Sequence, residues 1–222
     1  MTWDPTWEKV FRERAWGRYP PEELIRFVAR HYFRAPDRKA VRILEIGSGA
    51  GANLWFLARE GFSAYGLDGS ATAIEKARAR LAEDRLEASL SVGDALKPAD
   101  AFPGTTFDAV LDIGCLVCNR FSDVESILGQ VAKVLRPGGR VFSMMAAEGT
   151  WGDGLGRKIE PGTYTDIPEG PFAGLGICHF FTIDEVRRLF SQFSDVQTES
   201  SVRTLEGMTR EVRHWVTEAR KP

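Results

Sequence analysis

A glycine-rich segment, LEIGSGAGAN at residues 44–53, stands between an apolar run and a helical pattern. Its three glycines, Gly47, Gly49 and Gly51, would let a backbone turn approach a ligand closely, because glycine has no side chain and readily adopts positive φ. The helix that follows would present backbone N–H groups that have no partner within the helix. The segment therefore predicts a site for a nucleotide-type ligand.

Four carboxylates stand at or near the ends of predicted strands: Glu45, Asp68, Asp94 and Asp112. Because ligands of parallel sheets bind at the carboxyl ends of the strands, we expect these side chains around one crevice. Asp68 could accept hydrogen bonds from two ribose hydroxyls, and Asp94 from the amino group of a base. The set favours a ligand with a ribose, an amino-bearing base and a positive charge.

The same glycine turn is also compatible with a nicotinamide-dependent oxidoreductase. The dinucleotide fingerprint G-x-G-x-x-G places its last glycine where this chain has Ala52, and alanine is sometimes accepted there. Glu45, however, would lie beside the pyrophosphate of such a cofactor and repel it. The residues favour a phosphate-free cationic ligand and leave the oxidoreductase as the alternative.

The elements that position these residues alternate between strand and helix patterns. Strands are predicted at 41–47, 62–68, 88–92, 107–114 and 140–146. Helices are predicted at 52–60 and at 71–84, the second of them capped by Ser70. A third helix is predicted to begin at a capping box of Ser122 and Glu125 and to end before residue 136. This alternation predicts an α/β fold with a doubly wound, mostly parallel sheet.

The two ends of the chain add further elements. Residues 1–35 predict two helices, which begin near Pro5 and Pro21. Residues 148–177 contain eight glycines and three prolines, which makes an insertion too long for a plain connector. A last helix is predicted after a capping box of Thr182 and Glu185, followed by two alternating strands, 196–204 and 210–219, that form an antiparallel hairpin.

Five segments together resemble the class I S-adenosylmethionine-dependent methyltransferases. They are VRILEIGSGAGAN, YGLDGS, SVGDAL, FDAVLDIG and LRPGGRVF, in family order and spacing between residues 41 and 145. The resemblance implies a seven-stranded, Rossmann-like methyltransferase fold with an antiparallel C-terminal hairpin. It also implies S-adenosyl-L-methionine as the cofactor and S-adenosyl-L-homocysteine as the product.

The resemblance assigns expected roles to individual residues. The methionine part of the cofactor would lie against the turn from Gly47 to Gly51, Asp68 would hold the ribose, and Asp94 with the Ala95 backbone would hold the adenine. Residues 112–114 would flank the sulfonium. An N-terminal aromatic segment would cover the cofactor, with Trp16 and Tyr19 as candidates. Aromatic residues at helical spacing also pack in cores, so Trp3, Trp7, Trp16 and Tyr19 are compatible with either a substrate lid or the core. The predicted cofactor-binding residues are Trp16, Tyr19, Glu45, Gly47, Gly49, Asn53, Asp68, Gly69, Asp94, Ala95, Asp112 and Ile113.

One methyltransferase domain is expected over residues 1–222. Within it we expect an N-terminal helical lid at 1–35 and a cofactor-binding core at 36–147. A substrate-loop insertion would follow at 148–180, and a C-terminal helix and hairpin at 181–222.

The acceptor is expected to be a small molecule that is methylated on oxygen or nitrogen. Twenty-nine Lys and Arg residues face 31 Asp and Glu residues without a long basic run, which disfavours nucleic acid. The segment DIGC at 112–115 lacks the Asp/Asn-Pro-Pro-aromatic tetrad of enzymes that methylate nucleic acid amino groups. CLVCNR at 115–120 lacks the metal-binding acids of the catechol-type family, so no metal is expected.

Two further sets of residues could do chemistry. His179 follows the glycine-rich insertion and is a candidate general base. Cys115 and Cys118 are spaced like a metal or redox pair, but no His residue stands at matching spacing, so we expect inert thiols. A noncatalytic module that only binds the cofactor also remains compatible with these motifs, since a fold does not prove turnover.

A cytoplasmic location is expected from three features of the sequence. Three cysteines do not make the even framework of a secreted disulfide scaffold. The opening MTWDPTWEKVF lacks the basic patch and apolar run of a signal peptide. No stretch approaches the roughly 18 apolar residues of a membrane span, so no membrane partner is expected, and the oligomeric state is left open.

Overall fold

The computed structural model describes residues 3–222, so Met1 and Thr2 of the predicted lid lie outside the described residues. The strands are β1 Arg42–Ile46, β2 Ser63–Asp68, β3 Ser89–Val92, β4 Phe107–Ile113, β5 Leu135–Ala146, β6 Arg157–Glu160, β7 Thr163–Thr165, β8 Cys178–His179, β9 Ser194–Leu205 and β10 Arg210–Arg220. The helices are α1 Thr6–Glu13, α2 Glu22–Tyr32, α3 Ala52–Arg59, α4 Ala71–Glu83, α5 Pro98–Ala101, α6 Phe121–Val134 and α7 Ile183–Leu189. Within the described part, no helix is both long and apolar enough to cross a bilayer.

Seven strands form one sheet in the order β3-β2-β1-β4-β5-β10-β9. The five strands β1 to β5 pair in parallel, while β10 runs antiparallel to both β5 and β9. The chain order reverses direction across the sheet between β1 and β4, which is the position where ligands of doubly wound folds bind. The predicted fold, with its antiparallel C-terminal hairpin, is confirmed.

Strand β1 lies in the interior of the sheet, between β2 and β4, and is buried on both faces. Leu44 and Ile46 pack in a core cluster with the apolar stripe of α6. Ile43 packs on the opposite face with apolar residues of α2 and α3. Burial on both faces explains why this strand has a continuous apolar run in the sequence, and it fixes the position of Glu45 within that run.

The insertion contains a sheet of its own, which the sequence analysis did not predict. Strands β6, β7 and β8 pair antiparallel in that order. They have only two to four residues each and stand among glycines, so they leave no alternating pattern in the sequence. The insertion is therefore a folded unit at the edge of the core.

The capping box of α7 is confirmed, but the one predicted for α6 is wrong. Thr182 Oγ1 accepts from the Glu185 N–H, and the Glu185 carboxylate accepts from the Thr182 N–H. Helix α6 instead begins at Phe121, whose N–H donates to Glu160 Oε1 at 3.0 Å. Ser122, one of the two predicted capping residues, therefore lies inside the first turn, and a carboxylate from β6 satisfies the N-terminus of α6.

The two N-terminal helices differ in their environment. Helix α2 belongs to the core, with Leu24, Phe27 and Val28 fully buried. Helix α1 instead packs on α4 through its Glu8 carboxylate, which accepts hydrogen bonds from Ser70 Oγ at 2.6 Å and Thr72 Oγ1 at 2.5 Å. Only the part of the segment before α2 is therefore placed over the carboxyl ends of the strands.

Candidate functional site

A cavity of about 240 Å³ lies where β1, β2 and β4 end. Ile46, the last residue of β1, is paired with Leu67 of β2 and with Asp112 of β4, so the three ends meet at one edge. Ten of the twelve predicted cofactor-binding residues line this cavity: Trp16, Tyr19, Glu45, Gly47, Gly49, Asn53, Asp68, Gly69, Ala95 and Ile113. Asp94 and Asp112 do not.

The turn after β1 requires its three glycines. Gly47, Gly49 and Gly51 have φ of +63°, +52° and +76°, a region that residues with side chains rarely adopt. A Cβ at Gly47 would lie 2.5 Å from the Cβ of Cys115, and one at Gly51 would lie 2.8 Å from the Cβ of Ala77. The bare backbone of the turn thus forms one wall of the cavity and packs tightly behind it.

Asp68 ends β2 and holds the glycine turn in place. Its Oδ2 accepts from the Gly49 N–H at 2.8 Å, and its Oδ1 accepts from the Ser70 N–H at 2.8 Å. Burial raises the pKa of the Asp68 carboxyl above its ordinary value, while the two backbone hydrogen bonds act in the opposite direction. Each carboxylate oxygen retains capacity for a second hydrogen bond, so the side chain can also accept from hydroxyls of a ligand in the cavity.

Glu45 is a buried carboxyl with only part of its hydrogen-bonding capacity used. It is 2% exposed, and its Oε1 accepts from Asn53 Nδ2 at 2.5 Å. Its Oε2 is buried and has no hydrogen-bond partner among the residues described. Burial, with smaller contributions from the charges of Asp68 and Asp112, raises the pKa of Glu45 to about 8. A cation in the cavity would favour the charged form of this carboxyl.

Asp112 was predicted to bind the cofactor, and the structure corrects this. Its Oδ1 accepts from the backbone N–H groups of Cys115 and Leu116, at 2.8 and 2.9 Å. Its Oδ2 accepts from Ser143 Oγ at 2.5 Å, and the side chain is 1% exposed. Burial raises the pKa of Asp112 to about 6. The carboxylate is used to shape the turn after β4, so Ile113, rather than Asp112, faces the cavity.

The Asp94 carboxylate also differs from its predicted position. Its Oδ1 accepts from the Leu96 N–H at 2.9 Å, and the side chain does not line the cavity. The neighbouring residues Gly93 and Ala95 do line it. The segment after β3 therefore presents its backbone and small side chains to the cavity.

Aromatic side chains cover the cavity. The ring centroids of Trp7, Phe11 and Trp16 lie 5.4 to 5.7 Å from one another. Trp3 covers Gly69, where a Cβ would lie 2.5 Å from the indole. Tyr19 is 75% exposed and packs on Trp55 at the rim.

Several cavity residues were not predicted as part of the site, among them Phe11, Cys118 and Asn119. Phe11 follows Trp7 by four residues on one face of α1, and this spacing indicated only a buried helix face. Cys118 and Asn119 belong to the irregular segment after β4, where no periodicity indicates which side chains turn inward.

His179 lies away from the cavity. It is fully buried on β8, and its Nδ1 is 2.7 Å from Thr163 Oγ1. Burial lowers its pKa, against an opposing effect of Glu185, whose Oε2 lies 3.5 Å from Nε2. The ring packs between Phe121 and Phe181, with centroids at 5.5 and 4.4 Å. This position gives no support to the prediction that His179 acts as a general base.

The cysteines near the cavity are free thiols. Cys115 and Cys118 line it, and burial raises the pKa of both well above the ordinary value of a thiol. Between Trp3 and Pro222, no group of three or more His, Cys, Asp and Glu side chains is placed to hold a metal ion.

Comparison with known proteins finds similarity to methyltransferases. Residues 43–139, which contain the glycine turn, β2 to β4 and all of β1 but its first residue, match a family model described as a methyltransferase domain. A ubiquinone biosynthesis O-methyltransferase from Chelativorans sp. (strain BNC1) is 35% identical over 121 residues, which cover 52% of this chain and 46% of that protein. The match thus spans less than half the length of this curated methyltransferase.

Solved methyltransferase structures share the fold over most of the chain. An S-adenosylmethionine-dependent methyltransferase from Methanosarcina mazei has a TM-score of 0.64 and 24% identity, with 81% of this chain and 92% of that chain covered. The N-methyltransferase NodS from Bradyrhizobium japonicum, in complex with S-adenosyl-L-homocysteine, has a TM-score of 0.62 and 18% identity, with 99% and 100% covered. The terminal regions outside the matched domain thus also have counterparts of similar fold.

Proposed function

We propose that this protein transfers a methyl group from S-adenosyl-L-methionine to a small-molecule acceptor, on oxygen or nitrogen. The observation that carries the proposal is the buried Glu45 beside the glycine turn, with Oε2 unpartnered among residues 3–222. A buried carboxylate is stable only with a compensating charge. S-adenosyl-L-methionine is cationic and has no phosphates, so it matches this requirement where a dinucleotide does not.

The other cavity residues fit the same cofactor. Asp68 lies at the end of β2 with lone pairs available for ribose hydroxyls. Gly93 and Ala95 would border the base, and the backbone of the turn at Gly47 and Gly49 would border the methionine part. Asn53, which donates to Glu45, holds that carboxyl in the orientation it needs.

The chemistry makes few demands on the protein. Bound S-adenosyl-L-methionine supplies a methyl group that its sulfonium already activates. The residues of the chain must hold the acceptor atom close and in line, and they must exclude water. The cluster of Trp7, Phe11 and Trp16 excludes water from one side of the cavity. Helix α1 with its flanking residues would act as the lid, while no residue of the insertion at 148–180 that was expected to border the acceptor lines the cavity.

The relatives and the composition support a small acceptor. The names of the similar proteins describe an O-methyltransferase of ubiquinone biosynthesis and an N-methyltransferase. The near balance of 29 basic and 31 acidic residues disfavours a nucleic acid acceptor. We also propose a cytoplasmic location, since Cys115, Cys118 and Cys178 are all free thiols.

Turnover with a methyl-radiolabelled donor tests the proposal. The full chain is incubated with labelled S-adenosyl-L-methionine and a panel of small metabolites, and label transfer to at least one of them is expected. The matched control is Asp68→Ala, which should lose transfer. Tight donor binding without transfer to any metabolite would indicate a noncatalytic binding module, and binding of a nicotinamide cofactor in place of the donor would indicate an oxidoreductase.

A further inference from the structure

The cavity extends beyond the residues that would hold the cofactor. On one side stand the rings of Trp7 and Phe11 from α1. On the other stand Cys118 and Asn119, from the turn after β4. These two groups border the same space as Ile113 and Gly114, the residues expected beside the reactive sulfur. They therefore border the place where an acceptor must stand, and this step rests on the proposed function.

Trp7 contributes a hydrogen-bond donor that nothing in the described chain satisfies. Its Nε1 is buried and has no partner among residues 3–222. A buried N–H without a partner is unfavourable, because it has lost its hydrogen bond to water without gaining another acceptor. Its ring meanwhile packs against Phe11 and Trp16 at centroid distances of 5.6 and 5.7 Å. Trp7 lines the cavity, so a molecule bound against this residue is the candidate partner for its donor.

Asn119 contributes the complementary acceptor. Its Nδ2 donates to the Cys115 carbonyl at 2.8 Å, which fixes the orientation of the amide group. The side chain is 8% exposed and lines the cavity. No hydrogen bond to Oδ1 is formed within the described chain, so this oxygen is available to accept from a ligand. Trp7 and Asn119 together suit a molecule that has both an acceptor and a donor.

The charges that line the cavity restrict the charge of the acceptor and the type of its nucleophilic atom. The acids lining it are Glu45 and Asp68, and no Lys, Arg or His of residues 3–222 lines it. An anionic acceptor would have to share the single positive charge of the donor with these carboxylates, because no basic side chain lines the cavity. A neutral nitrogen acceptor instead leaves the positive charge in the cavity unchanged, because the charge passes from sulfur to nitrogen. The buried Glu45 then keeps its counter-charge throughout the reaction.

We propose that the acceptor is a flat, uncharged aromatic molecule that reacts through nitrogen and is bound by the indole N–H of Trp7 and the amide oxygen of Asn119. The nitrogen lone pair forms the new bond to the methyl carbon. The carbon–sulfur bond breaks, and its electron pair stays on the sulfur, which becomes neutral. The methylated nitrogen then loses its proton to water, so no side chain of the cavity is needed as a base before the transfer.

Three matched probes test the nature of the acceptor: 6-aminoquinoline, 6-hydroxyquinoline and quinoline-6-carboxylate. Binding of each to the protein saturated with S-adenosyl-L-homocysteine is measured by calorimetry, and methylation is measured with labelled donor. The amine is expected to bind at least tenfold more tightly than the carboxylate and to be the probe that is methylated. Preference for the phenol or the carboxylate, or no binding by any probe up to millimolar concentration, would overturn the proposal.

Two variants test the residues. Trp7→Phe keeps an aromatic ring but removes the N–H, and Asn119→Leu keeps the shape but removes the amide. Each should weaken amine binding to the protein saturated with S-adenosyl-L-homocysteine by roughly fivefold, as expected for one hydrogen bond. Trp151→Phe is the control, since Trp151 lies in the insertion, where its Nε1 donates to Glu169. Amine binding that survives both cavity variants would contradict the assignment. Failure of the wild-type chain to bind the donor would instead contradict the proposed function.

Discussion

The Oδ2 atom of Asp68 lies 2.8 Å from the backbone nitrogen of Gly49 and accepts its hydrogen bond. The carboxylate at the end of β2 therefore fixes the glycine turn that follows β1, and it also lines the cavity. A single side chain links the shape of the turn to the binding of a ligand. Substitutions at this position should consequently change both stability and affinity.

Asp68→Ala should weaken binding of S-adenosyl-L-methionine by roughly 1.5 to 3 kcal/mol, because charge-assisted hydrogen bonds to the ribose are lost. It should also lower the free energy of unfolding by about 1 to 3 kcal/mol, since two buried backbone N–H groups lose their acceptor. Calorimetric titration and urea denaturation measure the two effects. Asp68→Asn retains one acceptor oxygen, so its donor affinity and stability should lie between those of the wild type and Asp68→Ala. An unchanged donor affinity in Asp68→Ala would contradict the assignment of Asp68 to the ribose.

Gly49→Val should abolish donor binding. The side chain would enter the cavity wall at φ +52°, with its Cβ 3.2 Å from the Phe11 ring. The left-handed backbone adds a cost of about 1 to 2 kcal/mol to folding. Gly104→Val is the matched control, because Gly104 has φ +72° and a Cβ added there would meet nothing within 4 Å. The control should be similarly strained but bind the donor normally, and normal binding by Gly49→Val would count against the turn as a ligand wall.

Ser143→Ala should reduce stability much more than donor affinity. It removes the hydroxyl that donates to Asp112 Oδ2 and leaves a buried carboxylate oxygen without that partner. The expected loss is about 1 to 3 kcal/mol in the free energy of unfolding, with a donor affinity within about threefold of wild type. Ser126→Ala, at an exposed site on α6, is the control. Lost affinity with unchanged stability would show that Asp112 contacts the ligand directly.

Glu8→Ala should loosen α1 from the core and speed release of the donor. The Glu8 carboxylate accepts from Ser70 and Thr72 at the start of α4, and these hydrogen bonds lower its pKa. Stopped-flow tryptophan fluorescence should show a severalfold faster dissociation rate, as expected for the loss of about one hydrogen bond's free energy. Glu13→Ala, on the exposed face of α1, should leave the rate unchanged. Equal donor dissociation rates in Glu8→Ala and Glu13→Ala would contradict the proposal that α1 acts as a lid.

The main features of the site could be predicted from local sequence. The turn containing Gly47 and Gly49 needs positive φ, and that requirement is visible in the residue type alone. Glu45 and Asp68 stand at the ends of strongly patterned strands, and a parallel sheet brings such ends together. Their common location follows from these two rules without knowledge of the packing.

The remaining features depend on contacts between distant residues. Asp112 differs from Asp68 because Ser143, 31 residues away, takes one of its oxygens. Helix α6 begins at Phe121 because Glu160 of the insertion reaches its N-terminus. Neither contact can be read from the sequence pattern. The pattern therefore indicated a ligand contact for Asp112 and a capping box at the start of α6.

The predicted pH dependence of donor binding follows from the burial of Glu45, which raises its pKa to about 8. A raised carboxyl pKa means that the folded protein binds more protons than the unfolded chain above the unfolded pKa. The contribution of Glu45 therefore lowers the free energy of unfolding as the pH rises from the pKa of Glu45 in the unfolded chain to about 8. Binding of a cation would lower this pKa again, so the site should release a proton and bind the donor more tightly as the pH rises from about 6 to about 8.

The most direct test is calorimetric titration of the full chain with S-adenosyl-L-methionine at pH 7, in two buffers of different ionisation enthalpy. We expect saturable binding with release of up to one proton, weaker binding and no such release in Glu45→Gln, and no competition by NAD. Binding of NAD with no binding of S-adenosyl-L-methionine or S-adenosyl-L-homocysteine would contradict the claim that a phosphate-free cation occupies this cavity.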